Sequence, residues 1–506
     1  MEMFKDAISL TYIIALGFLG LWFLFSSYRK WNMIMGIGFF LSLMANFLFT
    51  MGFTLGPIKY FIFSKHLILI SIFGFIFMLL RNNKIGLVMA ILASMVLSFQ
   101  ILKLRLEVEL LPPKVIENLE LGELLIEATP ENIAQIEKKI AGYGGVVAKA
   151  FYPRKKGTDL DHFYVVDIPD DRADEKEAIL EVLYQENLIK YGEFNDHIQV
   201  TPIESFETIN STSDLRINDP LSKDQWALTV LGIHDWYKQL IDHRRKAVTT
   251  AVVAVLDTGI DGKHEDLSHA LSDDYKDVDD PVGHGTHCAG IIAAETNNNI
   301  GVASQTFHSN LIEIMPVKVL NRFGFGTQVQ IIKGMIKAVD NGAHVLSMSL
   351  GGISDEPRQK AYRAAVQYAE SENAVVITSA GNSSASARGF TPANVPGVIC
   401  VTAITPEKKL AAFSNYLDGI EWGIAAPGVN ILSTYPDNQY KSLSGTSMAA
   451  PFVSSTVGIM KAFAPDLTPR EIVEILQSTS LPTDDASKSG GLLQPSEALR
   501  ALITRI

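Results

Sequence analysis

The chain has 506 residues, 47% of them hydrophobic, and a formal net charge of −12. That length allows two or three domains, and the acidic balance argues against a general nucleic-acid partner. Two cysteines, Cys288 and Cys400, cannot build a disulfide framework, and their small apolar neighbours mark both as buried thiols.

The hydrophobic excess is concentrated in residues 1–102. Ile8–Tyr28, Met33–Leu55 and Ile85–Leu102 carry no charged residue, and Phe61–Leu80 is interrupted only by Lys65 and His66. Lengths near about twenty residues suit a bilayer core. The block reads as four transmembrane helices, with three as the alternative. The repeated apolar runs exclude a single cleaved signal peptide. Arg29 and Lys30 fill one short loop and Arg81 and Lys84 another. By their density the rest of the chain is expected outside the cytoplasm.

Residues 103–122 form a linker in which Leu111-Pro112-Pro113 stops any helix. Residues 123–200 have the pattern of a separate small domain. Strands are expected at Glu123–Ala128, Val146–Tyr152, His162–Ile168 and Ile189–Val200, and helices at Glu131–Tyr143 and Glu175–Asn187. The helices show apolar spacing on one face, such as Ile133, Ile136 and Ile140. This β-α-β-β-α-β order is the ferredoxin-like α+β arrangement.

From about residue 215 apolar strands alternate with helices. The strands are Ala251–Leu256, Leu311–Val319, His344–Ser349, Ala374–Ser379 and Val398–Thr402; the helices include Val329–Asn341, Gln359–Ser371 and Val453–Phe463. Near-continuous apolar strands between helices predict an α/β fold, a parallel sheet covered on both faces. The helices Arg470–Gln477 and Pro495–Ile503 close the chain.

Three motifs carry chemistry. The run Val253–Gly259 delivers Asp257 at the end of a strand. Gly283-His284-Gly285-Thr286-His287-Cys288 sets a histidine between glycines ahead of a helix. In Gly445-Thr446-Ser447-Met448-Ala449-Ala450-Pro451 small residues surround a serine at a helix start, with Pro451 expected in the first turn. A serine hydroxyl needs a neighbouring base to become a nucleophile. A histidine with an ordinary pKa near about 6.5 can take and return the proton, and an aspartate can fix its tautomer.

The chain order Asp, His, Ser and the neighbours of each residue resemble the subtilisin-like serine proteases over about residues 215–506. The histidine motif is similar to that of the proteinase K branch. Asn218-Asp219-Pro220 with Asp224–Leu228 resembles the start of a mature thermitase-like domain. The resemblance implies a serine endopeptidase acting on protein or peptide substrates, and the apolar block of residues 1–102 would anchor it in a membrane. It assigns Ser447 as nucleophile, His284 as base, Asp257 as its partner and Asn382 as oxyanion donor. His287 is read as a structural histidine rather than the base or a metal ligand. Ser349, Leu350, Gly351 and Gly352 would pair with an extended substrate, with Gly381 on the opposite wall. No charge in these motifs demands a charged substrate side chain, so an apolar or aromatic preference is expected. Residues 123–200 would be an inhibitory propeptide, with Asp196–Val200 as its tail in the groove. Autocleavage is then expected between about Val200 and Ile217. A structural Ca²⁺ is implied, held by the side chains of Asp219, Asp266 and Asn298 and the carbonyls of Glu295, Ile300 and Val302. Two other readings keep the fold: a signalling protease with one membrane-associated target, and a catalytically silent scaffold.

Overall fold

The computed structural model describes residues 14–26, 28–53, 70, 73–80 and scattered positions between 83 and 94, and then 121–200, 203–204, 217–276, 278–307, 311–353 and 359–506. The chain divides into two units, Met1–Glu117 and Asn118–Ile506.

In the first unit one helix runs from Arg29 to Phe53. Ala15, Leu16, Leu19, Phe39, Phe77 and Leu87 form a small buried cluster. Among the described residues no helix is long and apolar enough to cross a membrane. Residues 8–13 and 27 of the first expected span, much of the third and fourth, and all of 103–120 lie outside the described residues.

The second unit begins with a four-stranded antiparallel sheet, Leu124–Glu127, Val146–Lys149, Phe163–Asp167 and Tyr191–Phe194. The first strand lies between the third and fourth, and the second pairs on the outside of the third. Two helices, Pro130–Gly142 and Lys176–Gln185, cover one face. There Leu124, Ile126 and Val166 pack on Ile136, Ile140, Ile179 and Leu183. Alternation along a strand sends Leu125, Phe163 and Val165 to the other face. That face is also buried, in a cluster with Val329, Ile332, Ile336, Tyr362 and Ala365. These last residues belong to helices Gln328–Asp340 and Lys360–Ser371 of the following domain. The helices thus separate two sheets and share a core with each.

The expected single strand Ile189–Val200 is corrected. It breaks into Tyr191–Phe194 and His197–Gln199, and the second piece leaves the sheet. Asn195 makes the break: its amide donates to Gly122 O at 2.8 Å, and its oxygen accepts from Val329 N at 3.0 Å. The chain is pinned there to the N-terminus of the helix Gln328–Asp340, where unpaired N–H groups seek acceptors.

The larger domain is built on a six-stranded parallel sheet. In spatial order its strands are Gly423–Pro427, Val398–Ile404, Val375–Ser379, Val345–Met348, Ala251–Asp257 and Ile312–Lys318. Chain order reverses at Ala251–Asp257, which pairs with both Ile312–Lys318 and Val345–Met348. In open α/β sheets such a switch point opens a crevice beyond the carboxyl ends of the strands. Asp257 stands at one of those ends, and Ser349 follows the neighbouring strand. The sixth strand and the hairpin Ile431–Tyr435/Gln439–Ser444 were not expected.

The helix Thr446–Phe463 runs through the domain with all of its 18 residues buried. Its Pro451 lies in the second turn, not the first. A proline there cannot donate to the carbonyl four residues earlier, and that carbonyl belongs to Ser447. Side chains from two other elements take it instead, Ser349 Oγ at 2.8 Å and Cys288 Sγ at 3.5 Å. A local break in the helix ladder therefore ties the serine to the walls of the crevice.

Candidate active site

Asp257 ends its strand fully buried, and the helix His284–Ala293 begins opposite it. The approach is close because Gly285 has no side chain. A Cβ there would lie 2.0 Å from Gly259 O and 3.0 Å from Asp257 Cβ. His284 Nδ1 meets Asp257 Oδ1 at 2.7 Å and Oδ2 at 2.9 Å. Paired with a carboxylate, Nδ1 carries the proton and Nε2 is left with a lone pair. Nε2 is buried and has no hydrogen-bond partner among the described residues. An unsatisfied buried acceptor of this kind costs free energy and asks for a role.

Ser447 occupies the second position of its helix. Its Oγ donates to Ser349 O at 3.2 Å, so the serine and histidine are not yet joined. The same two residues meet twice, because Ser349 Oγ holds Ser447 O. Asn382 Oδ1 accepts from Thr446 N and Thr446 Oγ1, both at 2.9 Å. Those bonds define the oxygen end of the amide, so the opposite end, Nδ2, is the donor. Gly381 must be glycine: its φ is +101°, and a Cβ would lie 2.4 Å from Asn415 Nδ2. Ser349–Gly352, Gly381, Asn382, Phe390, Thr391, Thr446 and Ser447 line a cavity of about 400 Å³.

The groove beside this cavity is filled by the chain itself. His197–Gln199 pairs antiparallel with Phe325–Thr327, and Gln199 faces Gly351 on the other wall. Beyond the serine, Ile203 and Glu204 pair antiparallel with Ser444 and Leu443.

Sequence reasoning missed Asp280. Its carboxylate is buried and accepts from Thr258 Oγ1 at 2.7 Å, Gly283 N at 2.9 Å, and both Thr286 N and Thr286 Oγ1 at 2.8 Å. Thr258 also donates to Asp257 Oδ1 from its backbone N–H at 2.7 Å. Asp280 thus fixes the start of the His284 helix and the residue beside Asp257. An acid shortly before a helix start was the available signal.

His287 is packed as a structural residue. Its Nε2 donates to Ile431 O at 3.0 Å and Lys441 O at 2.9 Å, and burial pushes its pKa down to about 3. Both cysteines are free and buried. Burial raises the Cys288 thiol, which does not favour a nucleophilic thiolate.

His284 titrates in the opposite sense to His287. Burial, the largest single influence, disfavours its charged form, but the Asp257 carboxylate together with Cys288 lifts it well above 6.5. A base works only when unprotonated. Activity is therefore expected to rise with pH, with the acid limb of kcat/KM on the alkaline side of 6.5. A pH–rate profile of the processed enzyme checks this, and a limb below that value would contradict the pairing.

The Subtilase family model matches residues 249–496. Thermitase of Thermoactinomyces vulgaris is 38% identical over 217 residues, covering 42% of this chain and 74% of that protein. The thermophilic serine proteinase of Bacillus sp. (strain AK1) is 38% identical over 244 residues, covering 47% of this chain and 57% of that protein. The crystal structure of fervidolysin from Fervidobacterium pennivorans, a keratinolytic enzyme related to subtilisin, superposes with a TM-score of 0.59. At 24% identity, over 75% of this chain and 61% of that one, it shows a shared fold. The chain belongs to the subtilase family and carries a serine endopeptidase domain of that class.

Proposed function

We propose that the chain is a serine endopeptidase made as a zymogen, whose residues 123–200 inhibit its own catalytic domain. The observation that carries this reading is the strand His197–Gln199, held in the groove between Phe325–Thr327 and Gly351. Backbone pairing on both sides is how an extended peptide binds with little sequence demand.

In catalysis His284 Nε2 takes the proton of Ser447 Oγ as Oγ attacks the substrate carbonyl. Asn382 Nδ2 and the Ser447 backbone N–H receive the developing oxyanion. The C–N bond breaks as His284 returns the proton to the leaving nitrogen. Water then repeats the sequence on the acyl-serine and releases the acid.

The inhibitory role of residues 123–200 has two supports. The face bearing Leu125, Phe163 and Val165 is apolar and is buried in one cluster with residues of the catalytic domain's helices Gln328–Asp340 and Lys360–Ser371. At the N-terminus of the helix Gln328–Asp340, Gln328 Nε2 donates to Glu193 Oε1 at 3.0 Å and Gln328 N to Asp196 O at 3.0 Å. Incubating the full chain with casein and sequencing the N-terminus of the product tests the proposal. The expected result is hydrolysis with a new N-terminus between about Val200 and Ile217. Active enzyme still continuous with residues 1–102 would overturn the zymogen model.

A structural Ca²⁺ belongs to the same proposal. Asp219 and Asp266 are buried carboxylates, and Asn298 Nδ2 donates to Asp266 Oδ1 at 2.8 Å. Burial, with Asp219 nearby, pushes the Asp266 carboxyl up to about 7. Excess negative charge in hard oxygen donors suits calcium. Ligation by Asn298 requires its amide to turn, because Oδ1 here accepts from Ile300 N at 2.7 Å. Carbonyls of Glu295, Ile300 and Val302 would complete the shell. A ligand at a hundred times its Kd stabilises by about 2.7 kcal/mol, which is of order 5–10 °C in Tm for a domain this size. EGTA is therefore expected to lower the Tm of the Ser447→Ala chain by that amount, and an unchanged Tm would remove the site.

The apolar runs within residues 1–102 support membrane attachment, and Arg29, Lys30, Arg81 and Lys84 between them support a catalytic domain outside the cytoplasm. Resistance of the unprocessed chain to alkaline carbonate extraction tests the attachment, and release into the supernatant would refute it.

A further inference from the structure

The parallel sheet has two ends, and the catalytic crevice uses one of them. Asp257 closes the strand Ala251–Asp257 on the crevice side. The segment that leads into that strand lies at the opposite end, about 20 Å away along its 7 residues. It leaves the helix Ile233–His243 and makes one turn over Arg244–Lys246. Val248 N then donates to Ala462 O at 2.9 Å, in the last turn of the serine helix, which fixes the segment in place. Arg244, Arg245 and Lys246 are exposed, and among the described residues none of the three side chains has an acidic or carbonyl partner. Arg244 stands where a cation complements the helix dipole, but that effect fades beyond the last turn, and Arg245 and Lys246 lie past it. Ile241 and Val248 flank the cations with 53% and 69% of their surface exposed. From Ile233 to Val248 there are four Lys and Arg side chains and two Asp, in a chain whose net charge is −12. Cations alone suit a solvated loop, but branched aliphatic groups on both sides of them leave apolar surface in water.

We infer that residues 241–248 form a docking surface for an anionic lipid bilayer. The three cations meet lipid phosphates, each adding about fivefold in affinity at a charged membrane surface. Ile241 and Val248 enter the apolar boundary beneath the headgroups, where exposed aliphatic side chains leave water. A nucleic acid would meet the same cations but would offer nothing to the two apolar side chains. Docking by this end of the sheet turns the crevice away from the bilayer and leaves it open to substrate. It also gives the catalytic domain a hold on the membrane that does not pass through residues 1–102, so that cleavage between about Val200 and Ile217 does not set the domain free. The choice of a bilayer as partner rests on the membrane reading of residues 1–102, whereas the charge and exposure of the surface do not.

The test uses the full-length Ser447→Ala chain, in which self-cleavage is blocked, labelled with bimane at Val248→Cys or at Ile353→Cys. Ile353 is exposed and lines the crevice, and the native cysteines are buried. Each form is reconstituted into vesicles of phosphatidylcholine, or of phosphatidylcholine with phosphatidylglycerol, all carrying a quencher-bearing lipid. At position 248 the label is expected to be quenched at least about twofold more strongly in the anionic vesicles than in the neutral ones. At position 353 no such difference is expected. Arg244→Gln/Arg245→Gln/Lys246→Gln, or about 1 M salt, which shortens screening to about 3 Å, should remove the difference at 248. Equal quenching at 248 in both vesicles, no effect of the triple variant, or quenching as strong at 353 would overturn the inference. If the chain fails to enter vesicles, the membrane reading of residues 1–102 is wrong. Vesicles are then added from outside to the same labelled chain, and quenching at 248 by the anionic ones alone remains the expected result. Retention of the chain on heparin without quenching by anionic vesicles would also overturn it, and would point to a soluble polyanion instead.

Discussion

Ser447→Ala is expected to abolish peptide hydrolysis while leaving the fold intact. Among the described residues the hydroxyl makes a single bond, to Ser349 O at 3.2 Å, and the side chain is small and buried. Losing it removes no packing atom of consequence. The two bonds that anchor the residue, from Ser349 Oγ and Cys288 Sγ, go to its carbonyl and survive the change. The chemical loss is large by contrast, because no acyl intermediate can form. In a related protease the loss of this serine costs about 10⁶-fold in kcat. The variant should melt within a few degrees of wild type and remain uncut as a full-length chain. Retained turnover above about one part in a thousand would show that another group attacks.

Asn382→Ala is expected to lower kcat by about 10²- to 10³-fold with little change in KM, the loss measured for an oxyanion donor in a related protease. The amide oxygen is engaged by Thr446 N and Oγ1, so the donor end has a fixed direction. An interaction made only with the developing oxyanion affects the transition state and not the bound substrate. Thr446 adds a complication, because the variant leaves its N–H without that acceptor at the start of the serine helix. Asn382→Asp keeps an acceptor for Thr446 and removes the donor. Both variants should therefore lose kcat together. Recovery of kcat in Asn382→Asp would mean that Asn382 acts only by holding the helix.

The candidate catalytic residues stand out in the sequence because each sits at a junction with a strong local signature. Asp257 ends an apolar strand, and His284 and Ser447 open helices among glycines and small residues. What was not legible came from long-range pairing. Asp280 gains its importance from Thr258 and Thr286, which fold onto it from either side. Ile189–Val200 has one continuous strand-like pattern, yet Asn195 bonds across the domain boundary and ends the sheet. Pro451 suggested a first-turn position by local rules. The donors that replace the Ser447 carbonyl's lost bond, supplied by Ser349 and Cys288, are 98 and 159 residues away in the chain. The strand Gly423–Pro427 is short, with small residues and a terminal proline, and it is stabilised by pairing with Val398–Ile404 rather than by its own propensity. In the first unit the apolar runs are plain in the sequence, and the membrane expectation rests on them.

The central claim is that Asp257 and His284 activate Ser447 and no other serine. Ser349, Ser379, Ser383 and Ser444 stand near it, so identity matters as much as activity. A fluorophosphonate probe forms a covalent bond only with a serine whose proton a neighbouring base removes. After reaction with the processed enzyme, peptide mapping by mass spectrometry should place the adduct on Ser447 alone, and His284→Ala should abolish it. An adduct on another serine, or equal labelling of the Ser447→Ala chain, would contradict the account.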